Sequence, residues 1–152
     1  MTLDAVDRRI LEQLQADASL SNAELAERVN SSAASCWRRV KALEAAGVLG
    51  PAVRLLDPVA LGRSVNVLCN VRMRSHAREA RGAFEAFVRD RREILECFSM
   101  SGDWDYLLRI VAADVADYER FLMTVLLDHP SVGGASSHFA LSLTKYTTAL
   151  PI

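Results

Sequence analysis

The hydrophobic period changes part-way along this chain, and that change limits the folds open to it. Up to Gly47 the apolar residues recur at helical spacing, first as Val6, Ile10, Leu11 and Leu14, then as Leu25, Ala26 and Val29. From Val65 they alternate, with Val65, Val67, Cys69, Val71 and Met73 on one face. A stretch patterned for a helix cannot bury its apolar set as a strand, nor the reverse. The chain is therefore expected to be α+β, a helical module followed by a sheet-bearing one.

Punctuation residues divide the first module. Asp4 can cap the first helix, and Ser21 with Glu24 forms a Ser-x-x-Glu capping box for a short second helix. Ser32 can cap a third helix running to Ala46 and stopping at Gly47, a natural C′ residue. Three helices of this size and spacing form a helix-turn-helix pattern. In "VLGPAVRLLDP" the β-branched and leucine residues around Gly50-Pro51 predict two short strands and a turn, as in a wing. Asp57-Pro58 then marks a boundary.

In the second module Val65–Met73 is followed by a helix capped at Ser75, with Ala80, Ala83, Phe84, Phe87 and Val88 inward. "EILECFSM" and "YLLRIVA" read as strands around a glycine loop, and Asp114 caps a helix burying Tyr118, Phe121, Leu122, Val125 and Leu126. "SHFALSLTKY" alternates at Phe139, Leu141 and Leu143 as a last strand. The order is a ferredoxin-like βαββαβ unit with both helices on one sheet face. The other face needs a cover, for which a partner subunit's sheet is one candidate. The expected domains are a winged helix-turn-helix at 1–50, a wing and linker at 51–64, and the βαββαβ unit at 65–152.

A hydrophobic content of 51% with 24% charged residues supports a folded core. The net charge of −1 gives no global hint of a polyanion partner, but its distribution is uneven. Met1–Glu27 carries six acidic residues against two basic, Arg28–Arg54 five basic against one acidic, Leu55–Arg92 eight basic against four acidic, and Glu93–Ile152 eight acidic against three basic. Met1 is followed at once by Asp4 and Asp7, so no signal peptide is expected. The longest charge-free run, His129–Thr144, is too broken by Ser, Gly, Pro and His to span a membrane, and a cytoplasmic location is expected. Cys36, Cys69 and Cys97 are too scattered to form a metal or redox pair. With no Cys-His or Ser-His-Asp grouping and no metal spacing, neither catalysis, a metal nor a cofactor is expected.

On a helical wheel Cys36, Val40, Leu43 and Gly47 fall within about a 60° sector, which should face the first two helices. Opposite lie Ala34, Arg38, Lys41 and Ala45, with Ser35 nearby and Arg39 on a flank. A cationic face with small residues at its start suits a DNA major groove: Arg can read guanine, and Lys or Arg can meet phosphates. The Ser32 cap region can add backbone N–H groups to a phosphate. The candidate DNA-binding residues are thus Ser32, Ala34, Ser35, Arg38, Arg39 and Lys41, with double-stranded DNA as partner. The alternative is that the same charges only solvate an exposed helix, or that the helical module contacts protein.

The segments "LDAVDRRILEQLQADA", "SNAELAERV", "CWRRVKALEAAGVL", "LDPVALG" and "ECFSMSGDWDYLLRIV", in this order, resemble the Lrp/AsnC family of transcriptional regulators over nearly the whole chain. The resemblance implies a winged helix-turn-helix followed by a βαββαβ domain that forms dimers, and often larger assemblies such as tetramers or octamers, and commonly binds an amino acid. By residue match Gly102 and Asp105 carry the family's glycine and aspartate in an effector loop, with Asp103, Trp104 and Tyr106 around them and Ser101 within it. An Asp can accept from a ligand ammonium, and backbone beside a glycine can donate to a carboxylate. Met100 and Trp104 can wall a side-chain pocket, and Ser136, Ser137 and His138 can contribute from the same or a neighbouring subunit. The alternative is that Asp103 and Asp105 satisfy turn amides and Trp104 packs at an interface. An architectural DNA-organising protein without an effector is the other reading of the same fold. The chain departs from the family pattern at Ser31, usually apolar, at Ala33, frequently proline, and at Pro51-Ala52, usually Gly-Tyr.

Overall fold

The computed structural model describes residues 2–152. It contains two compact units, one formed by the described residues up to Leu55 together with Thr144–Ile152, the other by Leu56–Leu143.

In the first unit α1 spans Ala5–Ala16, α2 Asn22–Val29 and α3 Ala33–Ala45. Asp4 caps α1 and Ser21 caps α2, each in a reciprocal capping box, with Asp7 and Glu24 returning the bond. Asn30 takes φ +52 after α2, and Ser32 caps α3 by accepting from the Ser35 N–H at 3.2 Å. Gly47, at φ +69, ends α3 in a Schellman arrangement: its N–H donates to the Glu44 carbonyl and that of Val48 to Leu43. Ile10, Leu25, Val29, Cys36 and Leu43 form a fully buried core.

One expectation fails at the edge of this unit. The wing strands are absent, because Val48 and Leu49 both donate to the Leu43 carbonyl and so are spent on the helix end, while Pro51 has no N–H to offer a ladder. Residues 144–152, which follow the sheet in the expected 65–152 domain, group by contact with the helices of the first unit. The Gln15 side-chain amide holds them by donating to the Leu150 carbonyl and accepting from its N–H, both at 2.9 Å. Within the expected wing and linker at 51–64, residues from Leu56 onward group with the second unit, and Asp57 turns the chain by accepting from the Val59 and Ala60 amides.

The second unit contains β1 (Val65–Met73), α4 (Arg78–Arg89), β2 (Ile94–Ser99), β3 (Tyr106–Ala112), α5 (Val115–Phe121) running into a π-helical turn (Leu122–Leu126), and β4 (Val132–Phe139). The strands form one antiparallel sheet in the order β2-β3-β1-β4, the ferredoxin-like arrangement. Val67, Cys69, Val71, Leu108 and Ile110 bury one face against Phe84, Tyr118, Phe121 and Leu126 from the helices. The opposite face carries Leu68, Asn70, Arg72, Phe98 and Leu107, and no helix of this unit covers it.

Ser75 does not cap α4. Its hydroxyl accepts from the Ala77 N–H in a local turn, and the helix starts at Arg78 without a side-chain cap. The last strand begins earlier than its alternating residues suggest. It runs through Gly133, where a Cβ would lie 3.3 Å from the Arg72 carbonyl oxygen and the Arg74 nitrogen, so a side chain there would press on the β1 backbone at its bulge. Leu141 and Leu143 lie beyond the strand and are exposed. Among the described residues no helix is long and apolar enough to cross a membrane.

Candidate nucleic-acid interface and effector loop

The buried stripe of α3 fixes which residues face outward. With Cys36 and Leu43 fully buried and Val40 packed beside them, Ala34, Arg38, Lys41 and Ala45 lie on the exposed side. Arg38 makes no hydrogen bond or ion pair among the described residues, so its guanidinium is free to meet another molecule. Lys41 pairs with Glu44 at 2.8 Å, an exposed contact worth at most about 1 kcal/mol and easily exchanged. The Ser32 hydroxyl and the Ser35 N–H bind each other at the helix start. Trp37 is half exposed and borders an open apolar groove with Val40, Leu49 and Val53.

Arg39 behaves differently. Expected on the flank of the DNA face, it is engaged within the unit: Nη1 lies 2.7 Å from Asp4 Oδ2 and 2.7 Å from Asp7 Oδ1. Its side chain turns toward α1, and its charge is neutralised inside the unit. The sequence does hold a signal for this. Asp7 falls at helical spacing from Ile10, Leu11 and Leu14, on the core stripe of α1, and a buried carboxylate there requires a cationic partner.

In the second unit the loop between β2 and β3 is closed by the Met100 N–H donating to the Asp105 carbonyl, with Gly102 at φ +104. The Asp105 carboxylate accepts from the Met73 N–H at 2.7 Å and meets His76 Nε2 at 2.8 Å. Arg72 donates to the Asp103 carbonyl and stacks 4.7 Å above the Trp104 ring. The Met73 amide holds the Asp105 carboxyl below its ordinary range, helped by His76 and by the charge of Arg72 and opposed by burial.

The residues expected to form the effector pocket therefore separate. Met100, Ser101, Gly102, Asp103, Trp104 and Asp105 make one loop. Tyr106 is buried on the helix side of the sheet, where its hydroxyl donates to Glu85 and burial, reinforced by that carboxylate, pushes it up to about 12. Ser137 lies on the same inner face against the Tyr118 hydroxyl. Ser136 and His138 point to the helix-free face, 3.3 Å apart. Arg72, Met73 and His76 join the loop without a motif that marks them, and for His76 a separation of 29 residues from Asp105 leaves no local pattern to find it by.

Family comparison decides the affiliation. Residues 3–49 match the family model for winged helix-turn-helix DNA-binding, and residues 66–150 match that for the Lrp/AsnC ligand binding domain. The chain belongs to the Lrp/AsnC family. It is 37% identical over 150 residues to the Escherichia coli K12 DNA-binding transcriptional activator DecR, covering 99% of each chain. It is 35% identical over 150 residues to the Salmonella typhimurium leucine-responsive regulatory protein, covering 99% of this chain and 92% of that one. A Neisseria meningitidis transcriptional regulator, solved as a complex with L-Met, superposes with a TM-score of 0.94 at 40% identity, covering 99% of this chain and 97% of the other. As an Lrp/AsnC protein the chain is a DNA-binding transcriptional regulator, with α1 to α3 inside the matched winged helix-turn-helix and the βαββαβ unit in the matched ligand-binding domain.

Proposed function

We propose that this Lrp/AsnC regulator works as a homodimer or a larger ring, tetramer or octamer, in the cytoplasm. Paired α3 helices read half-sites about one helical turn apart, and an amino acid bound at the Met100–Asp105 loop, between subunits, shifts the assembly. The observation that carries the DNA half is the free Arg38 on the exposed face of a helix whose opposite stripe is buried. Arg38 reads a base edge, Ala34 and Ser35 allow close approach, and Lys41 and the Ser32 end of the helix meet phosphates. Arg38→Ala and Lys41→Ala are tested by titrating duplex DNA against salt. Loss of a phosphate contact lowers the salt slope by about 0.9, while loss of a base contact lowers selectivity instead. Unchanged affinity and slope in both variants refutes the placement.

For the effector half, Asp105 is the ammonium acceptor and the backbone around Gly102 the carboxylate donor. Because the Neisseria relative was solved with L-Met, methionine is the first ligand to test. A thermal-shift screen of the twenty amino acids should give a hit that Asp105→Ala abolishes. One observation favours the architectural alternative: both Asp105 oxygens already have partners inside the chain. A screen with no stabilising amino acid, together with DNA binding of low selectivity, decides for that alternative.

A further inference from the structure

We infer that Arg39 is a positioning residue that locks the recognition helix to the N-terminal cap of α1, so that DNA selectivity depends on two acidic residues that never touch DNA. The inference rests on the reading of α3 as the recognition helix. Asp4 and Asp7 form a closed cap: Asp4 Oδ1 accepts from the Val6 and Asp7 amides, and Asp7 Oδ2 accepts from the Asp4 N–H at 3.1 Å. The outer oxygens of the same pair, Asp4 Oδ2 and Asp7 Oδ1, both receive Arg39 Nη1. One guanidinium nitrogen from the middle of α3 thus joins two carboxylates whose remaining oxygens are already fixed to backbone.

The rest of the α3 interface is apolar. Cys36, Val40 and Leu43 pack against the other helices by contacts that have no preferred direction and tolerate small slides and rotations. A charge-assisted bond to a rigid cap supplies the missing direction. Asp7 is only 5% exposed, and the Arg39 Nε is buried without a hydrogen-bond partner among the described residues. The arrangement leaves a donor unsatisfied, a poor way to gain stability alone, yet it fixes the helix in rotation. Arg38, its neighbour on the chain, depends on that rotation, since base readout needs side chains held within about 0.5 Å.

The test uses the full chain, a duplex selected by the wild-type protein from a randomised pool, and the unselected pool as reference. Asp7→Asn keeps the oxygen that caps α1 and leaves Arg39 charged, whereas Arg39→Gln removes the charge. Both are expected to lower the selected-to-unselected affinity ratio by about tenfold with the salt slope unchanged, and the double variant should be no worse than either single one. A phosphate contact at Arg39 gives the opposite pattern. Arg39→Gln then weakens both DNAs equally and cuts the slope by about 0.9, while Asp7→Asn binds as well as wild type or better, and the inference is overturned. It is equally overturned if both variants melt earlier but, where folded by circular dichroism, bind with wild-type selectivity. Should Asp7→Asn not fold, Asp4→Asn, at a more exposed position that keeps its cap acceptor, carries the decision: a smaller loss of selectivity supports the inference and none refutes it. Arg38→Ala is the control for the underlying reading, because a variant there without effect removes α3 from the groove whatever the other variants do.

Discussion

Asp105 illustrates how one carboxylate can serve structure and pH response together. Its ionised form accepts from the Met73 amide and faces His76, so the folded-state pKa lies below the ordinary aspartate value. Unfolding removes these partners, and the unfolded chain then takes up a proton at higher pH. The stabilisation is therefore complete above the unfolded pKa of about 4 and drains away as pH falls through the lower folded value. Asp105→Asn keeps an acceptor for Met73 but cannot titrate. The stability difference between wild type and this variant, followed by urea denaturation, is expected to shrink on the acid side of pH 4. A difference that stays constant with pH would mean that the Met73 and His76 contacts do not distinguish charged from neutral Asp105. Gly102 makes a separate demand. At φ +104, with no atom within 4 Å of the place a Cβ would take, Gly102→Ala meets backbone strain and no clash, for a cost of about 1–3 kcal/mol. Thermal melts check the cost, and the same variant should weaken any amino-acid-induced shift. At this scale adjacent residues of one type part company: Arg38 is free and Arg39 is bound, a distinction that turns on the carboxylate Asp7 buried on the α1 stripe.

Among elements, those that declare their own ends are legible in the sequence and those defined by a distant partner are not. The Ser21–Glu24 box, the Ser32 cap and the Gly47 stop are local chemistry, and the three helices lie where these residues place them. Ser21 receives the Glu24 N–H and donates its own hydroxyl and N–H to the Glu24 carboxylate. Ser21→Ala is expected to cost about 1 kcal/mol in chemical denaturation, with Glu24→Ala close behind and the pair less than additive. A fully additive pair would show that the two side chains do not act as one cap. β4 escapes a local reading for the opposite reason. Gly133 and Gly134 look like a loop in isolation, and only the bulge at Arg72–Met73 explains why glycine belongs in that strand. The wing residues carry strand propensity, but propensity without a ladder partner leaves Val53 and Leu56 outside any strand and exposed. The two-point bond between Gln15 and the Leu150 backbone is likewise invisible to any local pattern, being made across 135 residues.

For the whole molecule the net charge of −1 is a poor guide, because affinity for DNA follows the local count of phosphate-facing cations. The helix-free sheet face is a better one. Leu68 is 41% and Phe98 51% exposed, with Leu107 between their strands, on a face that the helices of its own unit leave uncovered. Arg109 and Glu96, paired at 2.7 Å on the same face, supply a polar contact beside the apolar patch. Burying a leucine or phenylalanine side chain there contributes roughly 1.5–3 kcal/mol each, and a symmetric dimer buries every residue twice. If the proposed dimer forms through this face, Leu68→Asp combined with Phe98→Asp should convert it to a monomer in sedimentation equilibrium while leaving each subunit folded. On the proposed reading that monomer should retain Arg38-dependent binding of one half-site but lose cooperative binding of a paired site. If the double variant remains a dimer, the subunits meet through some other surface; if the wild type itself sediments as a monomer, paired recognition through this face is excluded, and the selectivity of a single α3 must carry regulation alone.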